Sequence, residues 1–199
     1  MTTVTALFDT YEDASRTLHD LQAASIASTD LSLISHRGDT SHEVIVDGED
    51  KTASGAGTGA GIGTVLGGGA GLLAGLGIMA IPGIGPVVAA GWLVATAVGA
   101  VAGATAGGLI GALTGAGVSE EHAHVYAEGI RRGGTLLVAR TEPSNVARVR
   151  GIMLSDRAVN IDVRRDAYRE EGWERFDHAA EPIAANDVGR RADEPSVRL

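Results

Sequence analysis

Few residues in this chain have types and spacings suited to chemistry. Glu120, His122 and His124 form the densest titratable group. Glu120 and His124 are four apart and share a helix face, whereas His122 and His124 are two apart and point to different faces. Two ligands on one face make a poor metal site, since zinc takes three or four, and solvated helix positions explain these side chains more simply. Glu120 and Glu121 suit a helix start, where the dipole favours acids. His19, His36, His42 and His178 are isolated in sequence. The glycine runs do not make a phosphate site. A dinucleotide fingerprint needs glycine at its first, third and sixth positions after a strand. Gly57 and Gly59 are followed by Ile62, Gly59 and Gly61 by Thr64, and Gly83 and Gly85 by Val88. No glycine precedes a Lys-Ser or Lys-Thr pair, and Lys51 is the only lysine. With no cysteine, thiolate metal sites, cysteine nucleophiles and disulfides are excluded. The sequence therefore points to no catalytic residue, no cofactor and no metal.

The chain's most ordered pattern is instead one of glycines. Gly55, Gly59, Gly63, Gly67, Gly71 and Gly75 follow one another at spacing four. A second ladder runs through Gly91, Ala95, Gly99, Gly103, Gly107, Gly111 and Gly115. Between them, Pro82, Gly83, Gly85 and Pro86 predict a turn that breaks any helix. On a helix, spacing four places each ladder along one face, so two backbones can approach closely, as in small-xxx-small packing. Each glycine costs a helix interior roughly 1 kcal/mol against alanine, so packing or a membrane must compensate. No residue from Thr52 to Ser119 is charged. Windows such as Ile62–Ile81 and Ile84–Gly103 match the ~20 residues that span a bilayer core. The expectation is a glycine-zipper helical hairpin over 52–118 that inserts in a membrane. The alternative is a soluble assembly in which the hairpin is buried against other copies.

The flanking segments read as a small mixed domain. Val4–Phe8 and Leu31–His36 have strand patterning, and His42–Val46 either extends the second strand or pairs with it. Apolar residues at helical spacing predict a helix over Tyr11–Ala24. After the tract, Ser119 caps a helix that ends at Gly133-Gly134. Thr135–Arg140 reads as a strand, Ser144–Leu154 as a helix and Val159–Val163, which alternates apolar and polar, as the last strand. The order without the tract is ferredoxin-like βαββαβ. The fold class expected is thus α+β, with residues 1–51 and 119–165 as its two halves. Residues 166–199 read as a charged tail in which Trp173 and Phe176 dock one turn of helix and Pro182–Leu199 is disordered.

Ser119-Glu120-Glu121-His122-Ala123-His124-Val125-Tyr126-Ala127-Glu128-Gly129-Ile130-Arg131-Arg132-Gly133-Gly134-Thr135-Leu136-Leu137-Val138, with the glycine tract before it and the Val4–Phe8 strand, resembles the bacterial general stress protein 17M-like family. The resemblance covers roughly residues 3–165. It implies a stress-induced bacterial protein without established enzyme activity, and it supplies no catalytic residues. The formal net charge of −9 disfavours nucleic acid as a partner. The partners expected are further copies of the chain in a homo-oligomer and membrane lipid, with no small-molecule substrate. Arg131 and Arg132, at a helix C-terminus, are candidate contacts for lipid phosphate. Met1–Ala6 has no basic or apolar signal pattern. The expected location is therefore the cytoplasm or the cytoplasmic side of the inner membrane. Replacing Gly67 and Gly103 together by leucine is expected to disrupt assembly or membrane retention.

Overall fold

The structure, a computed structural model, describes residues 1–36, 77–81, 83–93, 108–155 and 157–180. The His42–Val46 strand, the first ladder from Gly55 to Gly75, Gly99, Gly103 and Gly107 of the second ladder, Pro82 and the Pro182–Leu199 segment lie outside the described residues.

The described residues form a mixed α/β domain built on one antiparallel sheet. The strands are β1 (Thr2–Phe8), β2 (Leu31–His36), β3 (Gly77–Ile81), β4 (Gly85–Gly91) and β5 (Thr135–Thr141). Their order across the sheet is β1-β5-β2-β4-β3. The helices are α1 (Tyr11–Ala23), α2 (Gly108–Gly115), α3 (Glu120–Arg131), α4 (Val146–Met153) and α5 (Ile161–Glu170).

Alternation along the strands gives the sheet two apolar faces. Val4, Ala6 and Phe8 of β1, Leu31 and Leu33 of β2, and Leu137 and Ala139 of β5 meet α1 and α4 on one face. Ala14, Leu18 and Leu21 supply the α1 side, and Val149 and Met153 the α4 side. Leu7, Ile34, Leu136 and Val138 face the other way, onto α2, α3 and the β3–β4 hairpin. From α3, Ala123, Tyr126, Ala127 and Ile130 reach this second core. Each large apolar side chain buried here contributes roughly 1.5–3 kcal/mol. Tyr126 satisfies its hydroxyl by accepting a 2.9 Å hydrogen bond from Thr5 on β1.

The centre of the glycine tract departs from the helical expectation. β3 and β4 pair with each other, and β4 pairs with β2, placing Leu33 opposite Ala90 and Ser35 opposite Val88. Ile81, Ile84, Val87, Ala89 and Leu93 are buried in the second core. The turn at 82–86 is therefore a β-hairpin turn, not the tip of a helical hairpin. The windows Ile62–Ile81 and Ile84–Gly103 cannot both be continuous spans, because each contains a strand of the sheet. The physical reason lies in the period. Spacing four is one helical turn and also two strand repeats, so a glycine ladder keeps one face in either structure. Sheet pairing with β2 decided between them.

The expected last strand is also corrected. Val159 donates one backbone hydrogen bond of 2.8 Å to Leu7 O on the outer edge of β1. The chain then turns into α5, because the Asn160 side chain accepts from the amides of Asp162 and Val163 at 3.1 and 3.2 Å. This N-cap ends strand pairing after one residue. Replacing Asn160 by alanine is expected to cost about 1 kcal/mol. Urea unfolding will show this as a lower midpoint with an unchanged slope.

Candidate functional site

One end of the sheet gathers three histidines that are far apart in sequence. His36 ends β2 and is buried, and its Nε2–H donates to Ile84 O at 3.2 Å. Burial holds its imidazole below the usual histidine range, and the bond to Ile84 opposes this. Ile84 sits in the β3–β4 turn, closed by a 3.0 Å bond from Ile84 N to Ile81 O. Gly83 takes φ +78°, and a Cβ there would lie 2.6 Å from Asp177 O and 3.0 Å from His178 Cα. Only glycine fits, because the segment after α5 passes directly over the turn. Phe176 of that segment is 2% exposed and belongs to the core, and His178 meets its ring edge-on at 5.0 Å. The predicted docking of Phe176 is thus present. No helix forms among the described residues 171–180.

His124, in the first turns of α3, completes the group. Its Nε2 lies 3.8 Å from Glu120 Oε1, and its side chain is 13% exposed. Its Nδ1 is buried and has no partner among the described residues. Burial, Arg175 and His178 hold His124 below the usual histidine range, and Glu120 pulls it upward. His122 turns to Asp162 on α5 at 3.4 Å. No three His, Asp or Glu side chains among the described residues converge as metal ligands.

Arg131 and Arg132 have a protein partner. Glu128 is fully buried on α3. Arg131 grips it with two bonds, 2.9 Å from Nε and 2.7 Å from Nη2. Arg132 Nε adds a third at 2.7 Å, and its Nη1 reaches Glu171. Arg132 also lies 4.1 Å from the centroid of the Tyr168 ring. The two guanidinium groups expected at lipid phosphate thus close on a buried carboxylate. The spacing Glu128, Arg131, Arg132 is i, i+3, i+4, a helix-face pattern that already announced this pairing. Around it, α5 is tied to α3 by Arg169–Glu121 at 2.9 Å and Arg165–Glu121 at 3.4 Å, exposed pairs of small individual worth.

The described glycines of the ladders and the turn divide by position. Gly91 ends β4 and is paired with Ser32. Gly83 and Gly85 belong to the β-hairpin, where Pro86 stands opposite Ala80. Gly111 and Gly115 lie on α2, whose Leu109, Ile110, Ala112 and Leu113 are buried. Both glycines are exposed. A Cβ at either would meet nothing within 4 Å among the described residues. On α2, then, the apolar side chains face the core and the glycines face outward.

No helix among the described residues is long and apolar enough to cross a membrane. The chain matches no protein-family profile, no curated protein and no solved structure.

Proposed function

We propose that this is a non-enzymatic stress-response protein that acts by assembly. Helices of its glycine-rich tract contact helices of other copies. The observation that carries this reading is α2, which buries its apolar face and, among the described residues, leaves Gly111 and Gly115 on an open one. Helices bearing small residues at spacing four pack closely when the stripe meets another helix. A stripe left in water keeps the propensity cost of glycine without that return.

The domain that carries the tract is read as a ferredoxin-like unit. The adjacent strands β1, β5 and β2 match the first, third and second strands of a βαββαβ arrangement, with α1 and α4 on one face. The fourth position, beside β1, holds only Val159. This supports kinship with the general stress proteins that residues 119–138 resemble.

Of the two settings for assembly, the soluble one has the stronger support, since the middle of the tract is committed to the sheet. Membrane association is the second reading, favoured by the charge-free run from Thr52 to Ser119. Its location would then be the cytoplasmic face of the inner membrane. Detergent-free expression, carbonate extraction and light scattering separate them. The expected result is a discrete oligomer in the soluble fraction, converted to smaller species by Gly111→Leu with Gly115→Leu. A carbonate-resistant pellet favours the membrane setting. An oligomer unchanged by the double substitution overturns the role given to α2.

A further inference from the structure

The segment from Arg175 to His178 crosses the β3–β4 turn as a strap. Phe176 is its anchor in the core. The backbone of Asp177 and His178 rests on Gly83, leaving no room for a Cβ. The Asp177 carboxylate accepts from the amide of Ala179 at 2.8 Å, within the strap's own turn. Beneath and beside it stand His36 and His124, which come from β2 and α3.

We propose that the strap is released by acid: it seats on the β3–β4 turn while His36 and His124 are neutral, and protonation of these two lifts it and uncovers the apolar end of the sheet. The charge balance around His124 supports this. Arg175 and His178 face it from the strap, and Glu120 faces it from its own helix. Asp162 of α5 is engaged with His122 and Arg165 instead. A proton on His124 therefore places a second cation against Arg175. Among the described residues the carboxylate opposing it is Glu120, which is 3.8 Å away and largely exposed, where solvent screens it. His36 adds to the effect from below. Burial disfavours its charged form, against the opposing pull of the bond from its Nε2–H to Ile84 O.

The sign follows from linkage. A histidine held below its ordinary range when the strap is seated binds its proton more tightly once the strap is off. Seating is thus fully favoured above the ordinary histidine range and weakens as pH falls through it. One linked proton changes the equilibrium by at most about tenfold per pH unit.

Hydrogen exchange of the full chain at pH 7.5 and pH 5.0, corrected for intrinsic rates, reads this directly. Amides of residues 173–180 and 83–87 are expected to lose about tenfold in protection at the lower pH, while those of β1 and β5 keep theirs. His124→Gln is expected to abolish most of the loss. Equal strap protection at both pH values overturns the proposal, as does an unchanged loss in His124→Gln. Arg175→Gln provides a second test independent of the α3 core. It removes the neighbouring cation and is expected to shrink the loss between pH 7.5 and pH 5.0, and a loss of unchanged size counts against the proposal.

Discussion

Replacing Gly91 by alanine is expected to destabilise the domain by about 3 kcal/mol or more. Two costs combine. The residue holds φ +108°, where an L side chain is strained, a cost of roughly 1–3 kcal/mol. A Cβ would also lie 2.2 Å from Leu31 O, 2.4 Å from Ser32 Oγ and 2.6 Å from Ser32 Cα, and overpacking of this kind adds roughly 1–3 kcal/mol. Leu31 O and Ser32 Cα are backbone atoms and cannot swing aside. The Ser32 hydroxyl is itself committed, since it accepts from Leu93 N at 3.0 Å where the chain leaves the strand. Trp92 is anchored just before, with its indole N–H donating to Asp30 O at 3.2 Å. Gly111→Ala on α2 has the opposite expected sign. Its position is helical and open within one copy, so in the dissociated chain alanine should stabilise by roughly 1 kcal/mol. A helical hairpin would make these two ladder positions equivalent. Urea denaturation of the two variants side by side separates a strand-end glycine from a helix-face glycine.

Glu128→Gln is expected to cost about 3 kcal/mol, the lower end of what breaking a buried ion pair costs. The substitution keeps volume and removes one charge. Arg131 and Arg132 are then left as two neighbouring guanidinium groups with side chains only 20% and 19% exposed. Arg132 keeps Glu171, so it is better compensated than Arg131. Burial alone would lower the Arg132 pKa, and the carboxylates of Glu171 and Glu128 outweigh this and raise it. Denaturant unfolding of Glu128→Gln, and of the double variant Glu128→Gln with Arg131→Met, measures how much of the loss is the stranded charge. The double variant should recover part of the stability. A single-variant loss below 1 kcal/mol would mean that the pair is effectively solvated.

Much of this fold is legible in the sequence where side chains carry contrast. Ala14, Leu18 and Leu21 keep helical spacing among polar neighbours, and α1 follows. Thr135–Thr141 is dense in branched residues between Gly134 and Pro143, and β5 follows. The capping pattern at Ser119 correctly begins α3, with Ser119 Oγ accepting from His122 N at 3.3 Å. The glycine tract has no such contrast. Gly, Ala and Val in near alternation fit a helix face and a strand face equally well, so only the partner decides, and β2 is distant in sequence. The segment Val159–Val163 failed for a different reason. Its alternation is that of a strand, but Asn160 and Asp162 also make a helix start, and the cap prevailed once one bond to Leu7 had been made. The histidine cluster was illegible because its members come from β2, α3 and the strap. Each looks isolated until the sheet and the β3–β4 turn bring them together. The Glu128 grip was open to reading from spacing, although nothing in the sequence marked Glu128 as buried.

In the proposed assembly the exposed glycine face of α2 meets a helix of another copy. The chain's lack of native cysteine allows a clean measurement. A single Gly111→Cys variant and a control at Arg148, an exposed position on α4, are oxidised in dilute detergent-free solution and resolved without reductant. A disulfide-linked dimer of Gly111→Cys is expected to form many times faster than any of Arg148→Cys. Equal, slow cross-linking at the two positions would contradict it.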